Sequence, residues 1–263
     1  EDGLAIACRY VRPRCVDLLK AYVHEEALST ALYAATQSSS FRNKFSLDKD
    51  RVLIVQNLIE SKANTESFPC MYAAAERGFV NVVKVLIAAK ADVDRLATSH
   101  SVSATWVAAF DGQANVISLL VEAKADFHKA GYTGETPLMM AAQNGHIHAL
   151  RVLLTAKANP DTPRNDSMPP IAMATSWGHL PAVNMLIAAK ANLDACTKRG
   201  ETAVRKAALR NRPHLLRALL AAKADVNAGS DAPDAHPAVV CQKNDYVECL
   251  TVLLEANAMP YDQ

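Results

Sequence analysis

The side chains able to do chemistry are scattered along this chain, and their spacing argues against a reaction centre. His146 and His148 could offer two imidazole nitrogens to a metal, but two positions apart on a helix the rings point away from each other. No G-x-x-x-x-G-K-S/T, G-x-G-x-x-G or H-E-x-x-H stretch is present to begin a nucleotide or zinc-protease site. No serine or cysteine sits in a nucleophile elbow, and the carboxylates are spread evenly rather than paired. The six cysteines, Cys8, Cys15, Cys70, Cys196, Cys241 and Cys249, contain no C-x-x-C pair. That pattern favours reduced thiols in an intracellular, cytoplasmic protein over disulfides. The expectation is a non-enzyme that takes no cofactor and no metal.

What positions the side chains is a period. Lys62, Lys90, Lys124, Lys157, Lys190 and Lys223 each stand in A-K-A or S-K-A at the end of a leucine-rich segment, and Asn257 holds the seventh place. Successive spacings are 28, 34, 33, 33, 33 and 34 residues. A period of this length means a stacked array, which grows by adding copies rather than by enlarging one core. The 263 residues are 50% hydrophobic with few aromatics, so the stack must close on Ala, Leu, Val and Ile. A net charge of +1 gives no global pull toward nucleic acid or an anionic membrane. No apolar run reaches the roughly 18 residues of a membrane helix, so membrane insertion is not expected.

The clearest copy, Gly131 to Asn159, reads GYTGETPLMMAAQNGHIHALRVLLTAKAN. It resembles an ankyrin repeat, whose pattern is G-x-T-P-L-x-x-A-A-x-x-G-H-x-x-x-V-x-x-L-L-x-x-G-A. The resemblance implies an all-α solenoid of antiparallel helix pairs, with short projecting turns or β-hairpins at one edge. Read this way, 1–263 is one solenoid of about eight copies, at 1–25, 26–64, 65–92, 93–126, 127–159, 160–192, 193–225 and 226–263. Leu4, Ala7, Cys15, Leu18 and Leu19 carry the truncated first copy. An insertion at 37–50, with Phe41 and Phe45 a turn apart, is expected to be a polar loop rather than a short amphipathic helix. A shortfall of about five residues between Asn64 and Pro69 should stunt one projecting turn.

Small pairs such as Ala108-Ala109, Ala141-Ala142, Ala174-Thr175 and Ala207-Ala208 should let first helices approach closely. The pairs Ile117/Leu120, Leu150/Leu153, Val183/Leu186 and Leu216/Leu219 should form one buried face of the second helices. Between the helices the family pattern places a glycine with positive φ; Gly78, Gly112, Gly145 and Gly178 follow it, and Asn211 and Asp245 substitute. The family histidine that comes next is present only as His146 and His179, where it implies a local hydrogen-bonding role at the turn.

Lysine replaces the family's terminal glycine in six copies. A left-handed residue with a side chain costs about 1–2 kcal/mol, so the expectation is a rearranged helix end with lysine at negative φ. Its charge would complement the helix C-terminus, while Asp92, Asp126 and Asp225 cancel much of the field of a cationic ladder.

In arrays of this kind the resemblance places the partner surface on the projecting turns and the exposed side of the first helices. Alignment assigns to it Tyr72, Trp106, Phe110, Met139, Met140, Met173, Trp177, Arg205, Lys206 and Arg210. Trp106 and Met139 have a competing reading as fillers between copies. Arg212 and Arg217 extend the C-terminal arginines into a basic patch. The implied function is a protein-binding scaffold or adaptor. An alternative is a structural subunit of a larger assembly or the targeting portion of a longer multidomain protein, consistent with the lack of specialised capping copies. Nucleic acid is not expected as a partner.

Overall fold

A computed structural model of the chain describes residues 13, 25–37, 44–65, 69–97, 101–229 and 236–256. The described residues are helical pairs and turns. Extended pairing among them is one isolated antiparallel bridge, Ala97 to Val102. None of these helices is long and apolar enough to cross a membrane. Apart from residues 13 and 25, the first copy, with Cys8 and Cys15, lies outside the described residues, as do Phe41, Asn257 and Met259.

The chain divides into two compact units, Glu1–Tyr132 and Thr133–Gln263. In the first unit the helices are α1 (Glu25–Gln37), α2 (Lys44–Glu60), α3 (Cys70–Glu76), α4 (Val80–Ala88), α5 (Ala104–Phe110) and α6 (Ala114–Glu122). The first helices stack in the order α1, α3, α5, and the second helices α2, α4, α6 form a parallel row. The second unit holds α7 (Pro137–Gln143), α8 (Ile147–Thr155), α9 (Pro170–Trp177), α10 (Leu180–Ala188), α11 (Ala203–Leu209), α12 (Pro213–Ala221), α13 (Pro237–Lys243) and α14 (Val247–Glu255). There α7, α9, α11 and α13 stack as one row, with α8, α10, α12 and α14 as the other.

The apolar spacing explains this layering. Ala108-Ala109, Ala141-Ala142, Ala174-Thr175 and Ala207-Ala208 are all at 0% exposure, as are Ile117, Leu120, Leu150, Leu153, Val183, Leu186, Leu216 and Leu219. Each second helix presents one stripe inward, first helices such as α7 and α9 are buried over most of their length, and each is stable only against its neighbours. Thr175 fits an alanine place because its hydroxyl donates to the Ile171 carbonyl at 2.7 Å. First helices start on side-chain caps where the sequence allows. Thr136 accepts from the Met139 amide at 3.2 Å, and Ser103 from the Trp106 amide at 3.1 Å.

Two readings of the sequence are corrected. Residues 44–50 are not a loop: they open α2, a helix of 17 residues, and 38–43 lie outside the described residues. The six lysines are left-handed, with φ of 67, 61, 64, 71, 61 and 67° at Lys62, Lys90, Lys124, Lys157, Lys190 and Lys223. The hydrogen bonds give the reason. The Lys157 amide donates to the Leu154 carbonyl at 3.0 Å and the Ala158 amide to the Leu153 carbonyl at 3.0 Å. This is a Schellman closure, and the same two bonds recur at all six sites. The following alanine is then buried each time, Ala158 to 6% and Ala191 to 6%. Two backbone bonds and an apolar contact offset the left-handed cost, and the lysine side chain stays exposed near the helix C-terminus.

At the turn between the helices, Gly145 has φ 70° and Gly178 has φ 91°, as expected, and a second constraint acts on both. A Cβ on Gly145 would meet His179 Nδ1 at 2.6 Å, and one on Gly178 would meet the Arg212 guanidinium carbon at 3.1 Å. The residue after this left-handed turn position in one copy thus seats on the glycine of the copy before it. Asn211 and Asp245 take φ of 49 and 58°.

Candidate functional site

The exposed side of the first helices is built differently in the two units. In the first, the Ser103 cap fixes the opening turn of α5. Trp106 and Phe110, four positions apart, then stack with centroids 5.5 Å apart and planes 8° from parallel. Tyr72 and Glu76 stand on α3 at the matching places. Together with Val102, Val107 and Asp111 they enclose a cleft of about 250 Å³. Val102 and Val107 are its buried floor, whereas Trp106 is half-buried and Phe110 is exposed. Gly131 passes so close that a Cβ there would lie 3.2 Å from the indole nitrogen and 3.2 Å from Val102.

The cleft is acidic as well as aromatic. Burial pushes the Tyr72 hydroxyl above its ordinary value, and the Glu76 and Asp111 carboxylates push it the same way. Glu76 also meets Arg77 Nε at 3.4 Å, a contact between exposed side chains.

In the second unit the same helix places run from apolar to basic. Met139, Met140 and Met173 are exposed by only 0, 3 and 4%. Met140 and Met173, expected on a partner surface, belong instead to the core, and Met139 takes its competing reading as a filler between copies: on helices of seven or eight residues the buried positions take in both places after Leu138 or Ile171. Trp177, at the end of α9, is 58% exposed. Arg205 is half-buried, and its Nη1 donates to the Arg199 carbonyl at 3.4 Å. Lys206 Nζ reaches Glu201 Oε2 at 2.5 Å with both side chains largely buried. Arg210 is exposed, while Arg212 is taken up over Gly178 and Arg217 pairs loosely with Glu248 at 3.8 Å. The basic patch read from the sequence is therefore partly neutralised by Glu201 and Glu248.

The projecting turns are ordered by side-chain acceptors that sequence reasoning passed over. In the first unit the Asp94 carboxylate accepts from the Asp126 amide of the next copy at 2.8 Å. In the second, Asp161 accepts from the Asn192 amide at 2.7 Å and Asp194 from the Asp225 amide at 2.8 Å. Inside each turn the first residue closes an Asx turn on the second next, as Asn192 does with the Asp194 amide at 3.1 Å. The signal is present in the sequence as Asp92-x-Asp94, Asn159-x-Asp161, Asn192-x-Asp194 and Asp225-x-Asn227. On the turn before α9, Arg164 grips Asp166 with two bonds, Nε at 3.0 Å and Nη2 at 2.5 Å. The Arg164 guanidinium holds the Asp166 carboxyl down at about 2, against the opposition of partial burial.

Helix pairs at a 33-residue pitch, closed by Schellman turns and joined by Asx-turn projections, define a helical repeat protein. Residues 106–195 and 171–263 match the family model for ankyrin repeats in three copies, and the chain belongs to the ankyrin-repeat family. No curated protein matches the chain. Ankyrin repeats generally mediate protein–protein interaction.

Proposed function

We propose that the chain is a non-catalytic scaffold or adaptor that holds a protein partner on the exposed side of its first helices and on the turns beside them. The observation that carries this reading is Trp177, an indole left 58% exposed on a helix end where small or polar residues would suffice. Phe110, 41% exposed, supports it from the other unit. Aromatic side chains held by a rigid backbone are the usual anchors of protein interfaces. Tyr72, Trp106 and Phe110 form the contact set of one unit, and Trp177, Arg205 and Arg210 that of the other, with Lys206 as a flanking charge. A reducing intracellular setting fits Cys241 and Cys249, which are buried thiols outside any disulfide. Burial pushes the Cys241 thiol up to about 12, far from a reactive thiolate.

The test is affinity capture from native extract on the wild-type chain and on Phe110→Ala and Trp177→Ala variants. Exposed side chains of this kind change stability by only about 0.5 kcal/mol, so a folded variant is expected. Proteins retained by the wild type should be depleted on one or both variants. Equal retention on all three overturns this surface as the binding site.

A further inference from the structure

The cleft between α3 and α5 has a chemistry of its own, and assigning it an occupant rests on the protein-binding reading. At about 250 Å³ it falls below the roughly 300–1,000 Å³ of drug-sized ligand pockets, and suits a single side chain. Its walls are Tyr72, Trp106 and Phe110, its rim carries Glu76 and Asp111, and among the described residues no cationic side chain lines it. Aromatic faces are electron-rich, so rings and carboxylates here bias the cleft the same way. An aspartate or glutamate would be repelled. An apolar anchor would offer the rim carboxylates no new partner.

We propose that this cleft receives an arginine side chain of the partner. A guanidinium can lie flat on a ring while its fork reaches a carboxylate, whereas an ammonium is a compact, strongly hydrated charge. The Trp106 and Phe110 rings, stacked on each other, give the aromatic wall, and Glu76 and Asp111 the charge. Arg77 touches Glu76 from outside at 3.4 Å, an exposed contact of the sort an incoming cation displaces. The Tyr72 hydroxyl, raised by burial and by both carboxylates, reports the same negative field.

The probes are N-acetyl-arginine amide, N-acetyl-lysine amide and N-acetyl-citrulline amide, the last matching arginine in shape without its charge. The readout is the indole N–H resonance of Trp106 in the full chain, with Trp177, the second of the two tryptophans, as internal control. Arginine amide should shift Trp106 saturably in the millimolar range and leave Trp177 in place, with lysine amide weaker and citrulline amide weaker by about tenfold. Paired substitution of Glu76→Gln and Asp111→Asn, on a folded chain, should weaken arginine binding by about tenfold, and added salt should do so in the wild type. Citrulline binding as tightly as arginine, lysine binding more tightly, arginine binding unchanged in the paired variant, or no saturable shift of Trp106 would each overturn the proposal. Capture that depends on Phe110 or Trp177 without any arginine response would sink this inference and leave the protein-binding reading standing.

Discussion

The two units use one helix framework for opposite surfaces. At matching places the first unit sets Tyr72 and Trp106 around a cleft rimmed by Glu76 and Asp111. The second sets Met139 and Ala172, both buried, and then Arg205. The inward places barely change between them: Ala108 and Ala141, or Leu120 and Leu153, are equally hidden. The comparison separates what the fold requires from what it leaves open. Inward volume is tightly constrained because neighbouring helices approach across alanine, whereas the outward places tolerate aromatic, acidic or basic chemistry.

The comparison breaks most directly at the alanines. Ala141→Leu should overpack the second unit by roughly 1–3 kcal/mol, and Ala108→Leu should cost the first unit the same; thermal melts compare them. A neutral result at either alanine would show that its unit is more loosely packed. A smaller effect separates the units at one core place. Thr105 stands where the second unit has Leu138, and its buried hydroxyl oxygen has no hydrogen-bond partner. Thr105→Val keeps the shape and removes the stranded polar group, so the unfolding free energy from denaturant melts should rise by about 1–2 kcal/mol.

The lysines should behave alike in both units. Lys90→Gly and Lys157→Gly each relieve a left-handed side chain and add chain entropy to the unfolded state, a net gain of about 0.5–1 kcal/mol. A loss at either would mean that the charge at the helix end outweighs the backbone strain. The smallest effect belongs to Asp166 of the second unit. Its carboxyl is held at about 2 when folded, against an ordinary value of 3.8. The folded chain therefore releases this proton more readily, and the contribution is complete above pH 3.8 and is lost as pH falls toward about 2. The carboxylate is 47% exposed, so Asp166→Asn should cost only about 0.5 kcal/mol at neutral pH. Urea unfolding at neutral pH and at about pH 2 should show that difference vanish at the lower value.

Much of the layering was legible in the sequence because it depends on spacing alone: Leu150 and Leu153, or Ala141 and Ala142, fall inside by periodicity. The lysine geometry was misread for a definite reason. The cost of a left-handed Lys157 is offset by the return from the buried Ala158, two residues that act as one unit. The burial of Met140 and Met173 was not legible, and Met139 stayed open between surface and filler, because helices this short offer too few turns to define a face. The acidic side of the candidate site was legible only in part. Asp111 is visible in the sequence directly after Phe110, but Glu76 comes from another copy and joins it at the cleft only through stacking. In the turns, Asp94 and Asp161 were visible as residues, yet their acceptor role needs the amide of the following copy.

That last bond has a consequence for how such a chain changes length. The carboxylate of Asp161 binds the main-chain nitrogen of Asn192, a donor that every residue except proline supplies. A copy inserted or excised in whole multiples of the pitch would find the same handhold waiting, whatever side chains it carries outward. Lengthening by duplication then needs no second change to match the new joint, and the surface can diversify afterwards.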